Sequence, residues 1–144
     1  MTTDAELIKM SEDVMVHSYS PYSKFPVGAA LLGKDGRVFV GVNVENASFG
    51  GTICAERSAF VSAVTAGCQD FQAIAISTNM SEPAAPCGLC RQFMVEFGNF
   101  KVILNSASQK SQQYYELKDL LPRAFSPRSL DDYKEESSKK NGNH

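Results

Sequence analysis

The sequence contains no tryptophan, only two histidines and almost no excess of charge of either sign. Its 14 lysines and arginines stand against 16 aspartates and glutamates, which gives a net charge of -2. Because there is no cationic surplus to hold a phosphate backbone, dedicated nucleic-acid binding is disfavoured. Apolar stretches such as Val27 to Leu32 are far shorter than the roughly 20 residues of a membrane span, and the N-terminus lacks the pattern of a signal peptide. We therefore expect no membrane partner and a cytoplasmic location.

Cysteines are also few, and their number limits the functions that they can serve. The chain has 144 residues, enough for one domain, and 43% of them are hydrophobic, which suffices for a core without disulfides. In a reducing compartment, four cysteines serve metal binding, catalysis or packing rather than disulfide bridges. Their spacing therefore decides between these uses.

Hydrophobic periodicity predicts alternating helices and strands. Helices are predicted over 3–18, 53–66 and 87–97 with a helical turn over 118–121, and strands over 27–32, 37–42, 72–77, 101–104 and 112–117. The segment 43–52 is polar and irregular, which is typical of a loop. This order predicts a three-layer α/β/α sandwich with one mixed β-sheet. Residues 1–130 form the predicted domain, and the polar segment 131–144 is predicted to be a disordered tail.

Three of the four cysteines stand at predicted helix starts. Cys54 begins one helix, and Cys87 and Cys90 begin another directly after Pro86. The three-residue interval places Cys87 and Cys90 on one helical face, so that both sulfurs can reach one ion. Helix N-termini also favour the thiolate, which is the form that binds a metal. The pattern predicts one zinc ion per chain with these three sulfurs as ligands.

A closed structural zinc site would need a fourth ligand, for which Cys68 is the obvious candidate. If one helix separates Cys68 from Cys54, the two lie about 20 Å apart along its axis, so they cannot share an ion. An open fourth position instead binds water and requires a proton carrier nearby, for which Glu56, two residues after Cys54, is the candidate. Arg57 is the candidate to offset the negative charge of three thiolates, the alternative being an ordinary surface arginine.

These residues lie in motifs that resemble those of the small homotetrameric cytidine deaminases. Cys54-Ala55-Glu56 and Pro86-Cys87-Gly88-Leu89-Cys90 fit the zinc-deaminase pattern, with cysteine in place of its leading histidine. The likeness runs from about Tyr19 through Leu130, and its matching segments are 23–30, 43–47, 54–59, 86–92 and Leu120-Leu121-Pro122 with Phe125. The resemblance implies zinc-dependent hydrolytic deamination of cytidine and deoxycytidine to uridine, deoxyuridine and ammonia, in pyrimidine salvage, by a homotetramer.

The resemblance also implies roles for individual residues. Glu56 would carry protons, Asn43 and Glu45 would hydrogen-bond the sugar hydroxyls, and Phe25 would lie against the pyrimidine or the sugar. Phe125 would reach a neighbouring subunit's site. Other residues implied at the site are the substrate contacts Ala47, Phe49 and Ala55 and the supporting residues Arg57 and Gln92.

Some of these assignments have alternatives. Phe25 and Phe125 could be ordinary core residues. Phe49 stands where relatives often have tyrosine, so ring stacking survives there while a hydrogen bond to the sugar 5'-hydroxyl is lost.

Two other functions stay open from the sequence. Deamination of a modified nucleoside or of a polymer would use the same residues, although a polymer needs a basic channel with stacking aromatics. A non-enzymatic zinc or thiol module built on Cys87-Gly88-Leu89-Cys90 would leave Cys54-Ala55-Glu56 unexplained.

Overall fold

Helices and strands alternate along residues 1–141, which are the residues that the structure, a computed structural model, describes. The helices are α1 (Asp4–Val14), α2 (Ala55–Thr65), α3 (Gly88–Val95), α4 (Leu117–Leu120) and α5 (Pro127–Asn141). The strands are β1 (Gly28–Gly33), β2 (Val38–Val42), β3 (Phe71–Thr78), β4 (Lys101–Ser106) and β5 (Ser111–Glu116). Short 3-10 helices occupy Met15–His17 and Phe49–Gly51. The elements predicted from the sequence are confirmed in type and order, with ends shifted by a few residues.

The five strands form one mixed sheet in the order β2-β1-β3-β4-β5. β1 is antiparallel to β2 and to β3, β4 is parallel to β3, and β5 is antiparallel to β4. On one face Leu7 of α1 packs with Ala30 and Ile103. On the other face α2 and α3 bury a larger core that includes Phe60 and Met94. These layers confirm the predicted three-layer α/β/α sandwich.

An aromatic cluster fixes α2 and α3 against the sheet. Phe60 of α2 is fully buried, and its ring centroid lies 4.9 Å from that of Phe71, 5.4 Å from that of Phe97 and 5.8 Å from that of Phe100. Burial of one such phenylalanine contributes about 1.5–3 kcal/mol to stability. The same core includes Ala55 and Cys90, so it also holds the first turns of α2 and α3.

Gly41 allows β2 to contact α2 directly. A Cβ atom added there would lie 2.4 Å from the Ala59 nitrogen and 2.6 Å from the Ala55 oxygen, closer than real Cβ atoms approach. Because both neighbours are backbone atoms of α2, they cannot rotate away. Glycine at this position thus sets the distance between the sheet and α2.

The C-terminal segment differs from its prediction. The sequence predicts a disordered tail over 131–144, whereas α5 extends through Asn141. Pro127 occupies the first helical position, where its missing N–H costs nothing, and Glu135 forms an i,i+4 ion pair of 3.1 Å with Lys139. Glutamate and lysine favour a solvated helix as readily as a coil, so the prediction of disorder is wrong over 131–141. Residues 142–144 lie outside the described residues, and the domain boundary at residue 130 stays a prediction.

Within residues 1–141, every helix is too short or too polar to cross a membrane.

Candidate metal centre

The starts of α2 and α3 bring three cysteines together. Cys54 and Cys87 immediately precede the two helices, and Cys90 lies in the first turn of α3. The three sulfur atoms all lie within 4.8 Å of one another, and the Sγ atoms of Cys54 and Cys87 are 3.9 Å apart. Tetrahedral zinc with Zn–S bonds of about 2.3 Å would separate two sulfurs by about 3.8 Å. Three thiols at this spacing therefore fit one zinc ion, with one coordination position left over.

Cys68 lies beyond the far end of α2. It is only 4% exposed, and its thiol donates to the Asp70 carbonyl oxygen at 3.7 Å. It also packs beside Gly33, where an added Cβ would lie 2.7 Å from its sulfur. Cys68 is thus a packed thiol that takes no part in the cluster.

The thiols of Cys54 and Cys90 differ in their affinity for protons. Hydrogen bonds, first from Cys90 and then from Arg57 and Cys87, lower the pKa of Cys54 to about 5. The pKa of Cys90 is raised far above its ordinary value, chiefly because its thiol donates to Cys54 and because it is buried. The two sulfurs thus share one proton and one negative charge, which is the electrostatic character of a cation site.

The guanidinium of Arg57 lies against this anionic sulfur. Its Nη2 donates to Cys54 Sγ at 3.7 Å and to the Thr52 carbonyl oxygen at 3.5 Å. The hydrogen bond to Cys54 raises the pKa of Arg57, which keeps the side chain charged. The structure therefore places Arg57 where its charge offsets that of the thiolate.

Glu56 is a carboxyl group buried beside the cluster. Its side chain is 4% exposed and reaches the wall of a cavity, and burial raises its pKa above the ordinary value. A carboxyl group in such surroundings holds a proton more readily than an exposed one, which suits a group that takes up and releases protons.

Cys54 and Cys87 open onto a cavity of about 280 Å³. We call the side formed by Cys54, Ala55, Glu56 and Cys87 the thiol wall, and the side formed by Ser23, Phe25, Val27, Asn43 and Glu45 the loop wall. Ile76, Thr78, Ala84 and Ala85 also line the cavity. Its described lining includes two carboxylates and neither lysine nor arginine, so it suits a small uncharged molecule better than a phosphate ester.

Hydrogen bonds that the Asn43 side chain accepts and donates give the loop wall part of its shape. The Oδ1 atom of Asn43 accepts from the Val27 N–H at 3.0 Å and from the Ser18 hydroxyl at 2.5 Å. Its Nδ2 donates to the Phe25 carbonyl oxygen at 2.8 Å. One side chain thus holds the backbone on both sides of Pro26.

Glu45 holds the preceding turn. Its Oε1 accepts from the N–H groups of Tyr22 and Ser23, both at 3.0 Å, and its Oε2 accepts from the Ser23 hydroxyl. The hydrogen bonds from Ser23 are the main reason that the pKa of Glu45 lies below its ordinary value. Glu45 is therefore an anion at neutral pH.

Several residues implied by the resemblance lie outside the cavity. Ala47 and Phe49 are exposed, and the Phe49 ring packs edge-on against Tyr22 at 5.7 Å in a groove beside the cavity. Phe125 is 61% exposed, and its carbonyl oxygen accepts from Gln92 Nε2 at 2.8 Å. Within the isolated chain, these residues do not touch the space between the two walls.

The structure also shows supporting residues that the sequence did not single out. Arg91 donates from Nε to the Pro86 carbonyl oxygen at 2.8 Å and from Nη1 to the Leu120 carbonyl oxygen at 2.7 Å. Arg91 and Ser23 both lie inside the matching motifs, which would have been the signal to consider them. Ser18 lies in no motif, and only the folded structure reveals its contact with Asn43.

Comparison with known proteins gives a consistent family. Residues 1–106 match the family model described as the cytidine and deoxycytidylate deaminase zinc-binding region. The chain is 43% identical over 127 residues to a cytidine deaminase of Sporosarcina psychrophila, an alignment that covers 87% of this chain and 93% of that protein. It is 44% identical over 128 residues to a cytidine deaminase of Halalkalibacterium halodurans, with 88% and 96% covered.

A solved structure agrees with these relatives. The crystal structure of cytidine deaminase from Burkholderia pseudomallei superposes with a TM-score of 0.83 at 45% sequence identity, and the match covers 86% of this chain and all of that one (100%).

Proposed function

Because the chain belongs to the cytidine and deoxycytidylate deaminase family, it is an enzyme of zinc-dependent hydrolytic cytidine deamination, and we propose that its substrates are the free nucleosides cytidine and deoxycytidine. Water supplies the oxygen that replaces the amino group at C4, so the products are uridine or deoxyuridine and ammonia. The observation that carries this choice is the cavity: the three-thiol cluster borders it, and its described lining contains neither lysine nor arginine.

In the proposed site, Cys54, Cys87 and Cys90 hold one zinc ion. A zinc ion with three protein ligands supplies a Lewis acid that lowers the pKa of water towards about 7. Arg57 donates to Cys54 and offsets part of the negative charge that three thiolates bring to a divalent ion. Arg91 holds the carbonyl before Cys87 and so positions that ligand.

Glu56 is the proposed proton carrier. It follows Cys54 by two residues in the first turn of α2, and its buried carboxyl lines the cavity. In the proposed reaction its carboxylate takes one proton from the attacking water and delivers it to N3 of the pyrimidine; it then takes the remaining proton from the new hydroxyl on C4 and delivers it to the departing amine.

The loop wall is the proposed binding surface for the nucleoside. Phe25 lies against the pyrimidine or the sugar, and Ala55 also contacts the substrate. Asn43 and Glu45 bind the sugar hydroxyls, with the amide as hydrogen-bond donor and the carboxylate as acceptor. Ala47 and Phe49 at the rim would approach the substrate only from outside the cavity.

We further propose a homotetramer in which Phe125 of one copy reaches the cavity of another. Exposure of Phe125 supports this assembly, as does the groove beside the cavity that Tyr22 and Phe49 line. Sedimentation equilibrium tests it: a monomer with full activity would contradict the assembly. A role in pyrimidine salvage in the cytoplasm completes the proposal, supported by four cysteines that are all free thiols.

One purified sample tests the main proposal. Zinc content and the loss of cytidine ultraviolet absorbance are measured together, with cytidine monophosphate and single-stranded DNA as comparison substrates. We expect one zinc per chain and turnover of the nucleosides alone. Preferential turnover of the nucleotide or of DNA would contradict the choice of substrate.

The variant Glu56→Ala tests the proton carrier. We expect it to keep zinc and to lose about 10²- to 10⁴-fold in turnover, because proton transfer is removed while the ligands stay. The exposed Glu82 provides the matched control Glu82→Ala, which should turn over at the wild-type rate. Near-normal turnover by Glu56→Ala would show that the assignment is wrong.

A further inference from the structure

Ser18 precedes the loop wall in the chain and contacts the side chain that shapes it. Its hydroxyl lies 2.5 Å from Asn43 Oδ1 and 3.2 Å from the hydroxyl of Ser20. Ser18 and Ser20 are both half-buried, whereas Asn43 is buried at 8% exposure. The contact therefore bears on the orientation of a buried amide that faces the cavity.

The directions of these hydrogen bonds follow from the available donors. A hydroxyl has one hydrogen, and a carbonyl oxygen such as Asn43 Oδ1 can only accept. The Ser18 hydrogen therefore points to Asn43 Oδ1, the nearer acceptor at 2.5 Å, rather than to the Ser20 hydroxyl at 3.2 Å.

The hydrogen bond from Ser18 determines what Asn43 can offer to a ligand. The two lone pairs of Oδ1 are used by Ser18 and by the Val27 N–H, and one hydrogen of Nδ2 is used by the Phe25 carbonyl oxygen. One amide hydrogen then remains for the cavity, and no acceptor does. Without Ser18, the second lone pair of Oδ1 would be open, and the amide could accept from a sugar hydroxyl as well as donate to it.

We propose that Ser18 is a positioning residue that makes Asn43 a hydrogen-bond donor only. The inference rests on the proposed function, because it requires that Asn43 binds a sugar hydroxyl. Glu45 on the same wall is an anion and can only accept. A sugar hydroxyl between them accepts from Asn43 and donates to Glu45, so its orientation is fixed before chemistry begins.

The variant Ser18→Ala tests the proposal by steady-state kinetics. For cytidine we expect KM to rise about 3- to 10-fold while kcat stays within about twofold, because substrate binding changes and proton transfer does not. Ser18→Thr restores the hydroxyl and should return KM towards the wild-type value. Val16→Ala, at a side chain that is 81% exposed in the same segment, is the matched control and should change neither constant.

A second substrate separates positioning from general damage. 2',3'-Dideoxycytidine lacks the hydroxyls that Asn43 and Glu45 would bind, so its kcat/KM should be the same for wild type and Ser18→Ala. An equal loss with both substrates, or an unchanged KM for cytidine, would overturn the proposal. Ser18→Cys keeps the size of the side chain but donates only weakly, so it should raise KM for cytidine by a smaller factor, and it replaces Ser18→Ala in the test if that variant does not fold. Wild-type turnover of cytidine tests the proposed function by itself, so the two failures are distinguishable.

Discussion

The thiol wall and the loop wall of the cavity are built by different means. The thiol wall stands on two helix starts, and the packing of Phe60 and its aromatic neighbours holds those helices on the sheet. The loop wall has no regular element beneath most of its length, and Asn43 and Glu45 hold it by hydrogen bonds to the backbone. The hydrophobic core therefore fixes the proposed reaction centre, whereas individual polar atoms fix the proposed binding surface. Changes to the first should abolish zinc binding or folding, and changes to the second should alter KM.

The largest effect is expected from loss of a thiol. Cys90→Ser removes a fully buried sulfur from the cluster, so we expect loss of stoichiometric zinc and a fall in activity of more than about 100-fold. Metal analysis and cytidine turnover measure both effects. Cys68→Ser is the matched control at another buried cysteine and should retain one zinc per chain. Full zinc content in Cys90→Ser would show that the cluster is not the metal site.

A backbone contact behind the thiol wall should have the next largest effect. In Gly41→Ala the new Cβ would meet the backbone of α2, so we expect the free energy of unfolding to fall by about 1–3 kcal/mol. Because Cys54 precedes α2, zinc should also dissociate faster to a chromophoric chelator. Gly50→Ala is the control, since a Cβ there meets no atom within 4 Å. Zinc retention equal to that of Gly50→Ala would contradict a link between this contact and the metal centre.

Loss of charge on the loop wall should raise KM with little effect on zinc. Glu45→Gln weakens the hydrogen bonds that the side chain accepts from the N–H groups of Tyr22 and Ser23. We therefore expect KM for cytidine to rise about tenfold while zinc content stays unchanged. The exposed Glu96 provides the control Glu96→Gln. A loss of zinc in Glu45→Gln would mean that the two walls are not independent.

The same residue gives the wild-type enzyme a defined pH dependence. The pKa of Glu45 lies below its ordinary value of 4.5, so the contribution of the carboxylate is complete above that pH and is lost as the pH falls through the lowered pKa. The contribution of Glu45 to KM should accordingly be constant from neutral pH down to about 4.5, as judged by the ratio of KM in Glu45→Gln to KM in wild type. A ratio that already changes near pH 7 would contradict the assignment of Glu45 as an ionised carboxylate down to about pH 4.5.

The smallest effect is expected in α5, which forms neither wall. Glu135→Gln breaks an exposed pair with Lys139, so stability should change by no more than about 0.5 kcal/mol and KM should not change. Thermal unfolding and cytidine kinetics measure the two quantities. A change in KM would show that α5 communicates with the cavity.

The two walls also differ in how far the sequence predicted them. The thiol wall was predicted because its signals are local: an interval of three residues joins Cys87 to Cys90, and both ligand segments stand at helix starts. The loop wall depends on contacts between positions 25 residues apart, as from Ser18 to Asn43, and 22 residues apart, as from Ser23 to Glu45. Periodicity carries no information on such pairs, so only the resemblance pointed to Asn43 and Glu45. The helix α5 was missed because its polar composition is compatible with two states.

The order of elements along the chain has a consequence for biosynthesis. Cys87 immediately precedes α3 and Cys90 lies in its first turn, so they can present two sulfurs as soon as that helix forms, whereas Cys54 lies 33 positions before Cys87. Strand β4, which pairs in parallel with β3, is synthesised only after Cys90. We therefore expect the third sulfur to join the other two only when α2 and α3 have both packed on the sheet. Stable capture of zinc should therefore require β4, and a truncated nascent chain that stops before Lys101 should not retain the metal.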